Sequence, residues 1–220
     1  LLLDRLARAS EVDEIVVATS DNPRNEPLAR YVCARGHAVY RGSETDVLDR
    51  YYRAALQAEA DIVVRVTGDC PLIDPWVVDS VCARRRVAGV DYASNSLPPT
   101  FPDGLDTEVF LFRALERAWS EAKTAHEREH VTPYLRESTS FTRENVVAPN
   151  DESSERWTVD EADDFEVIQS VFTHFYPRTD FSWLEVLALR NQHPEWFMAN
   201  RHLVRNEGAQ LGTGQKLWKR

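Results

Sequence analysis

The sequence is short of paired cysteines. Cys33, Cys70 and Cys82 are its three, widely separated and outside any CxxC or Cys/His pattern. That spacing argues against a disulfide framework and a structural zinc site, and favours reduced thiols in a cytoplasmic protein. No apolar run approaches the roughly 20 residues needed to cross a bilayer, and no basic segment followed by an apolar one opens the chain. A soluble protein without a membrane partner is expected. Basic charge is in deficit, with 26 Lys and Arg against 36 Asp and Glu and a formal net charge of -10. A broad nucleic-acid surface is excluded on that balance, although a local arginine cluster can still receive a phosphate. No internal repeat recurs at a fixed period.

What is present fits a globular α/β enzyme. The 43% hydrophobic and 28% charged composition lies far from the signature of disorder, and 220 residues suit one large domain. EIVVATS (14–20), the stretch 37–41 and DIVVRVT (61–67) read as strands. They alternate with helical spacing over 26–35, over 47–56 and from Pro75 onward. Three such alternations predict a three-layer, mainly parallel sheet of Rossmann-like type, with ligands gathering beyond the carboxyl ends of the strands. NSLPPTFPDG (95–104), with three prolines and a glycine, reads as a long loop over the site. A strand at 107–110, helices over 115–122 and 127–137, strands near 145–148 and 156–159, and helices over 161–175 and 181–190 follow. The domain is expected to span residues 1–205, with 206–220 a linker or the start of another domain. The chain opens inside a helical pattern at Leu1, and Met198 is its one methionine, so it reads as part of a longer protein.

Two carboxylates carry the expected chemistry. Asp69 follows the best strand directly, and Asp160 follows the β-rich WTV. A carboxylate held at a strand end faces the ligand crevice, and Mg²⁺ takes one or two protein carboxylates with waters and substrate phosphates. Each has a structural rival, since Asp69 can make a turn or cap the helix after Pro71, and Asp160 can cap the acidic helix behind it. Arg41, Arg50 and Arg65 lie around the expected crevice as phosphate or carboxylate ligands; Arg65, flanked by valines, reads equally as a paired structural residue. EREHVTPY gathers donors and acceptors suited to a polyhydroxylated sugar, with His130 either a ligand or a helix-face histidine.

RGSETDVLDRYYRAA (41–55), VVRVTGDCPLIDP (63–75), FPDGLDTEVF (101–110), EREHVTPY (127–134) and RWTVDEADDFE (156–166) occur in the order seen in the spore coat polysaccharide biosynthesis protein F family. The chain resembles that family, one of cytidylyltransferases, over roughly residues 1 to 200. Wider relatives join CMP to acidic sugars such as 3-deoxy-octulosonic acid and sialic acids and release pyrophosphate from CTP. The resemblance implies the same reaction here, with CTP and an acidic sugar as partners, Mg²⁺ on Asp69 and Asp160, and Arg50 facing phosphate or sugar. The expected substrate-binding set is Arg41, Ser43, Asp103, Gly104, Glu108, Glu127, Arg128 and His130. Such enzymes open with a strand and a basic glycine loop of the form ARMGSTRLPGK that holds the triphosphate. Nothing like it precedes Leu1, which implies that this chain alone is inactive. The end, TGQKLWKR, resembles the opening of glutamate-1-semialdehyde-aminomutase-like enzymes, implying a fused partner. Relatives are commonly dimers, and Trp183, Trp196 and Phe197 suit either an interface or the core. Two rival functions remain: a metal-dependent glycosyltransferase, and a non-catalytic nucleotide- or sugar-binding module.

Overall fold

The computed structural model describes residues 1–205; the expected linker or following domain at 206–220 lies outside the described residues. A short helix α1 (Leu2–Leu6) precedes β1 (Val16–Ser20), α2 (Glu26–Ala34), β2 (Ala38–Gly42), α3 (Val47–Gln57), β3 (Ile62–Arg65) and α4 (Pro75–Ala88). β1 and β3 lie in the β-branched runs that the sequence marks, and β2 lies on the apolar stretch 37–41, one residue further on. α4 starts where Pro75 sits at its first turn with Asp74 accepting from the Trp76 and Val77 amides, and it stops at Gly89 in the left-handed region.

Next come β4 (Tyr92–Ser94), β5 (Glu108–Leu111), α5 (Phe112–Glu121), α6 (Ala125–His130), α7 (Pro133–Glu137), β6 (Arg143–Asn145), α8 (Ala162–Phe175) and α9 (Trp183–Gln192). β1 and β2 form a parallel pair, and the second sheet runs in the order β3-β5-β4-β6. β5 is antiparallel to both β3 and β4, and β6 is parallel to β4. Thus β3, β4 and β6 run one way and β5 runs against them, the one departure from an all-parallel sheet.

The register explains the layers. Val63, Phe110 and Tyr92 stand in one cross-strand row, and Val64, Val109 and Ala93 in the next. Because successive side chains point to opposite faces, the first row packs with Leu48, Leu115 and Leu135 of α3, α5 and α7. The second packs with Val78 and Val81 of α4 and with α1 residues. A third cluster joins Trp157, Phe101 and Leu105 to α8 and α9. Trp183 and Phe197 are buried there, which settles them as core and removes them as interface candidates, while Trp196 is partly buried. Arg5 is 1% exposed and ties α1 to the carbonyls of Leu72, Ile73, Thr179 and Phe181.

Two expected elements come out differently. The helix read over 127–137 is split. Pro133 has no amide hydrogen to continue the bonding of the preceding helix, and it opens α7 with a preset φ. Between the halves Val131 adopts φ 71 and ψ -55, and the Thr132 amide donates to the His130 carbonyl at 2.8 Å. This is a γ-turn of the positive-φ kind, strained for a β-branched residue. The strand read over 156–159 is no ladder strand. It forms one parallel bridge between Arg156 and Asp103, with main-chain bonds that replace a sheet partner.

Candidate functional site

The ends of β3 and β4 and the start of β5 lie along one edge of the sheet, because β5 runs the opposite way. Three segments meet beyond that edge: the turn at 68–70, the loop 95–107 and the segment 156–160. The Asp69 carbonyl accepts from the Val159 amide at 2.8 Å and from the Thr158 hydroxyl at 3.1 Å. Asp103 exchanges main-chain bonds with Glu155 and Trp157. Gly104 makes this approach possible. At φ +102, a Cβ there would lie 2.6–2.8 Å from the Trp157 and Thr158 backbone. The loop is closed by Asn95, buried, whose side chain bonds both the Leu105 carbonyl and the Thr107 amide at 2.8 Å.

Asp69, Asp103, Gly104 and Asp160 are therefore brought together. The Asp69 carboxylate is half-buried and, among the described residues, is met only by the Cys70 thiol at 3.6 Å. Cys70 itself is buried, which pushes its thiol up and takes it out of nucleophilic chemistry. Asp160 does not cap α8. Glu161 is the N-cap and Asp164 completes its capping box, so the Asp160 carboxylate is left outside the helix, 52% exposed and 2.7 Å from Arg156.

A chain of ion pairs runs through this edge. Arg156 bonds Asp160, Asp164 and Asp103, and those carboxylates raise its pKa against the opposing effect of burial. Asp164 is fully buried. Burial works to raise it, but Arg156, Asn200 and the amides of Asp160 and Glu161 outweigh that and hold it low. Arg205 pairs with Asp106 and lies 3.7 Å from Asp103. Burial nevertheless pushes Asp103 up to about 6, Arg205 and Arg156 pulling it down while Asp106 and Asp160 push it further up. Asp106 is raised too, again chiefly by burial. Carboxylates crowded until their ionisation becomes costly are a common mark of a functional site.

Glu108 stands on the sheet face covered by α3, α5 and α7. Its carboxylate pairs with Arg65 and accepts from Tyr92 at 2.5 Å. Burial would raise Glu108, but Arg65 and Tyr92 bring it below its ordinary value, and Arg65 is raised in return.

The remaining expected ligands form other groups. Arg41 pairs with Glu26 and bonds the carbonyls of Asp21 and Asn22 at 3.1 and 3.2 Å. Ser43 accepts from the Asp46 amide at 2.9 Å, and Arg50 donates to the Ser43 carbonyl at 2.7 Å. The Arg50 Nε is buried without a partner among the described residues. Burial lowers the Arg50 pKa. Glu127 is the carboxylate of the capping box opened by Thr124, and Arg128 grips Asp46 through Nε and Nη2. His130 is half-buried beside His126, and burial keeps it below its ordinary value. The Arg128–Asp46–Ser43 contacts join the α6 group to the end of β2, while Arg65 and Glu108 end β3 and begin β5. Arg156, Arg205, Asp106, Asp164 and Asn200 were not singled out by the sequence. Only the E-x-x-D spacing of Glu161 and Asp164 carried a local signal, a capping box.

A match to the cytidylyltransferase family covers residues 1–171. The chain belongs to the cytidylyltransferase family. Its fold is correspondingly the Rossmann-like α/β fold, and its family chemistry is nucleotidyl transfer. It is 35% identical to an uncharacterised protein of Methanocaldococcus jannaschii, over 80% of this chain and 72% of that protein. It is 29% identical to the spore coat polysaccharide biosynthesis protein SpsF of Bacillus subtilis, over 83% of this chain and 77% of that one. A solved cytidylyltransferase structure from Leptospira borgpetersenii superposes with a TM-score of 0.85 at 30% identity, covering 89% of this chain and 83% of its own. Within this cytidylyltransferase, no helix among the described residues is long and apolar enough to cross a membrane.

Proposed function

We propose that this cytidylyltransferase transfers CMP from CTP to an acidic sugar, releasing pyrophosphate, in the assembly of a surface polysaccharide. The observation that carries the reading is the clamp on the Asp69 carbonyl by the Val159 amide and the Thr158 hydroxyl, which keeps Asp69 and the adjoining Asp160 at one sheet edge. Mg²⁺ takes one or two protein carboxylates and draws the rest of its shell from waters and phosphate oxygens. Asp69 and Asp160 would hold the ion, and when bound it would neutralise phosphate charge. Arg156 keeps Asp160 oriented meanwhile. In-line attack by a sugar hydroxyl on the α-phosphate needs no covalent enzyme intermediate, so positioning and electrostatics supply the rate.

Asp69→Asn is the test. An amide keeps the shape and loses the charge, so pyrophosphate release should fall by at least about 100-fold if this oxygen serves a metal-assisted transfer. The melting temperature should stay within a few degrees, because the Asp69 fold contact is its carbonyl, not its carboxylate. Turnover near the parent value in Asp69→Asn would contradict the reading. The same assay on the 220-residue chain itself decides whether it turns over unaided.

A further inference from the structure

The Asp160 carboxylate has a single partner among the described residues, the Nη2 of Arg156 at 2.7 Å. How firmly Arg156 is held therefore sets how firmly Asp160 is aimed. Arg156 is held by two other carboxylates. Its Nε and Nη2 meet the two oxygens of Asp164 at 2.9 Å each, the parallel fork that fixes a guanidinium plane, and its Nη1 meets Asp103 at 3.3 Å. Both limbs are braced from one short segment after α9. The Asn200 amide group, 2% exposed, donates to Asp164 and to the Arg156 carbonyl at 2.9 Å each. Arg205 donates to the Phe101 carbonyl at 3.2 Å, pairs with Asp106 and lies 3.7 Å from Asp103. Phe197, buried in the cluster that holds Trp157 and Phe101, ties the start of this segment to the core. The Leu203 amide closes the turn between the two by donating to the Asn200 carbonyl at 3.0 Å.

We propose that Asn200 and Arg205 are positioning residues for the transfer, acting through Arg156 to hold Asp160 at the site edge. Charge gives the arrangement its sense. Asp103, Asp106, Asp160 and Asp164 share two guanidiniums, those of Arg156 and Arg205. With Arg205 taken up by Asp106 and the loop carbonyl, Arg156 is left to serve Asp164 and Asp160. Without Arg205, Asp103 and Asp106 would draw on Arg156 alone, and the contact that gives way first is the solvent-facing one to Asp160. Asn200 guards the other limb, since it fixes the buried Asp164 oxygen that receives the Arg156 Nε.

This inference rests on the CMP-transfer reading, and the experiment separates the two. In Arg205→Gln, kcat for pyrophosphate release should fall about 10-fold with the KM values for CTP and sugar unchanged. Arg205→Lys, which keeps the charge for Asp106 without the second donor for Phe101, should recover part of the loss. A double-mutant cycle tests the route: Arg156→Lys/Arg205→Gln should be no slower than Arg156→Lys alone, whereas independent losses would multiply. Asn200→Ala repeats the cycle from the other limb. Hydrogen exchange without added metal or nucleotide needs no turnover. The Asp160 and Glu161 amides, both bonded to Asp164, should exchange faster in Arg205→Gln and Asn200→Ala, while α5, which packs in a different cluster, keeps its parent protection. No pyrophosphate release from the parent would overturn CMP transfer alone, and exchange would still decide the brace. Unchanged exchange at 160 and 161 would overturn the brace. So would an unaltered kcat, multiplying losses in the cycle, or protection lost equally across α5, which would mark a merely structural role.

Discussion

Asp103 shows how far the site's electrostatics depart from an ordinary protein surface. It faces two arginines, yet burial and the neighbouring Asp106 and Asp160 push it up to about 6 from 3.8. A carboxylic acid with a raised pKa binds its proton more tightly folded than unfolded, so stability declines as pH rises from about 4 to about 6 and stays lower above. The shift corresponds to roughly 2–3 kcal/mol. Asp103→Asn removes that cost while keeping an oxygen for Arg156. Thermal melting should show the variant more stable than its parent at pH 7.5 and equal to it near pH 4. A variant less stable than its parent at pH 7.5 would mean that the Arg156 and Arg205 pairings outweigh burial. At this scale the placement of Asp69 and Asp160 at one sheet edge was legible because each follows a recognisable apolar strand-like run; their role towards an ion is what Asp69→Asn tests. The ion-pair chain was not, because Arg205 and Asp103 lie far apart in sequence and nothing local marks such a pairing.

Among the elements, the loop 95–107 is defined by what it must touch. Gly104 lets its backbone lie against Trp157 and Thr158, and any side chain there meets main-chain atoms that cannot step aside. Gly104→Ala combines a positive-φ penalty with that overlap and should cost at least about 2 kcal/mol, lowering the melting temperature by several degrees. It should also reduce activity by separating segments 101–106 and 156–160. Unchanged melting would show that the loop can shift without harm. Apolar runs, β-branched in β1 and β3, made β1, β2 and β3 readable to within a residue or two. β4 escaped notice because three residues, Tyr92 to Ser94, are too few for a period to register. The division of α6 from α7 was present in the sequence as Pro133, but the γ-turn at Val131 was not, since a buried valine gives no hint of positive φ. The segment 156–159 read as a strand because its apolar alternation is real; it is spent on packing Trp157 into the core beside Phe101, not on a ladder.

Across the whole molecule, helices cover both faces of the larger sheet, and one edge of it gathers the motif segments 63–75, 101–110 and 156–166, while the motif at 127–134 lies apart on α6 and the start of α7. Arg41, Ser43 and Arg50 flank the end of the smaller β1–β2 pair, joined to α6 by Arg128 and Asp46. The fold class followed from alternation of strand and helix, whereas the direction of β5 depended on tertiary pairing that no local pattern encodes. The central claim is CMP transfer, and Mg²⁺-dependent pyrophosphate release measures it most directly. CTP and UTP are each supplied with acidic and neutral sugars to the protein. Release from CTP that requires an acidic sugar, with little from UTP, is the predicted result; equal release from both nucleotides, or none from CTP with any acidic sugar, would contradict the account.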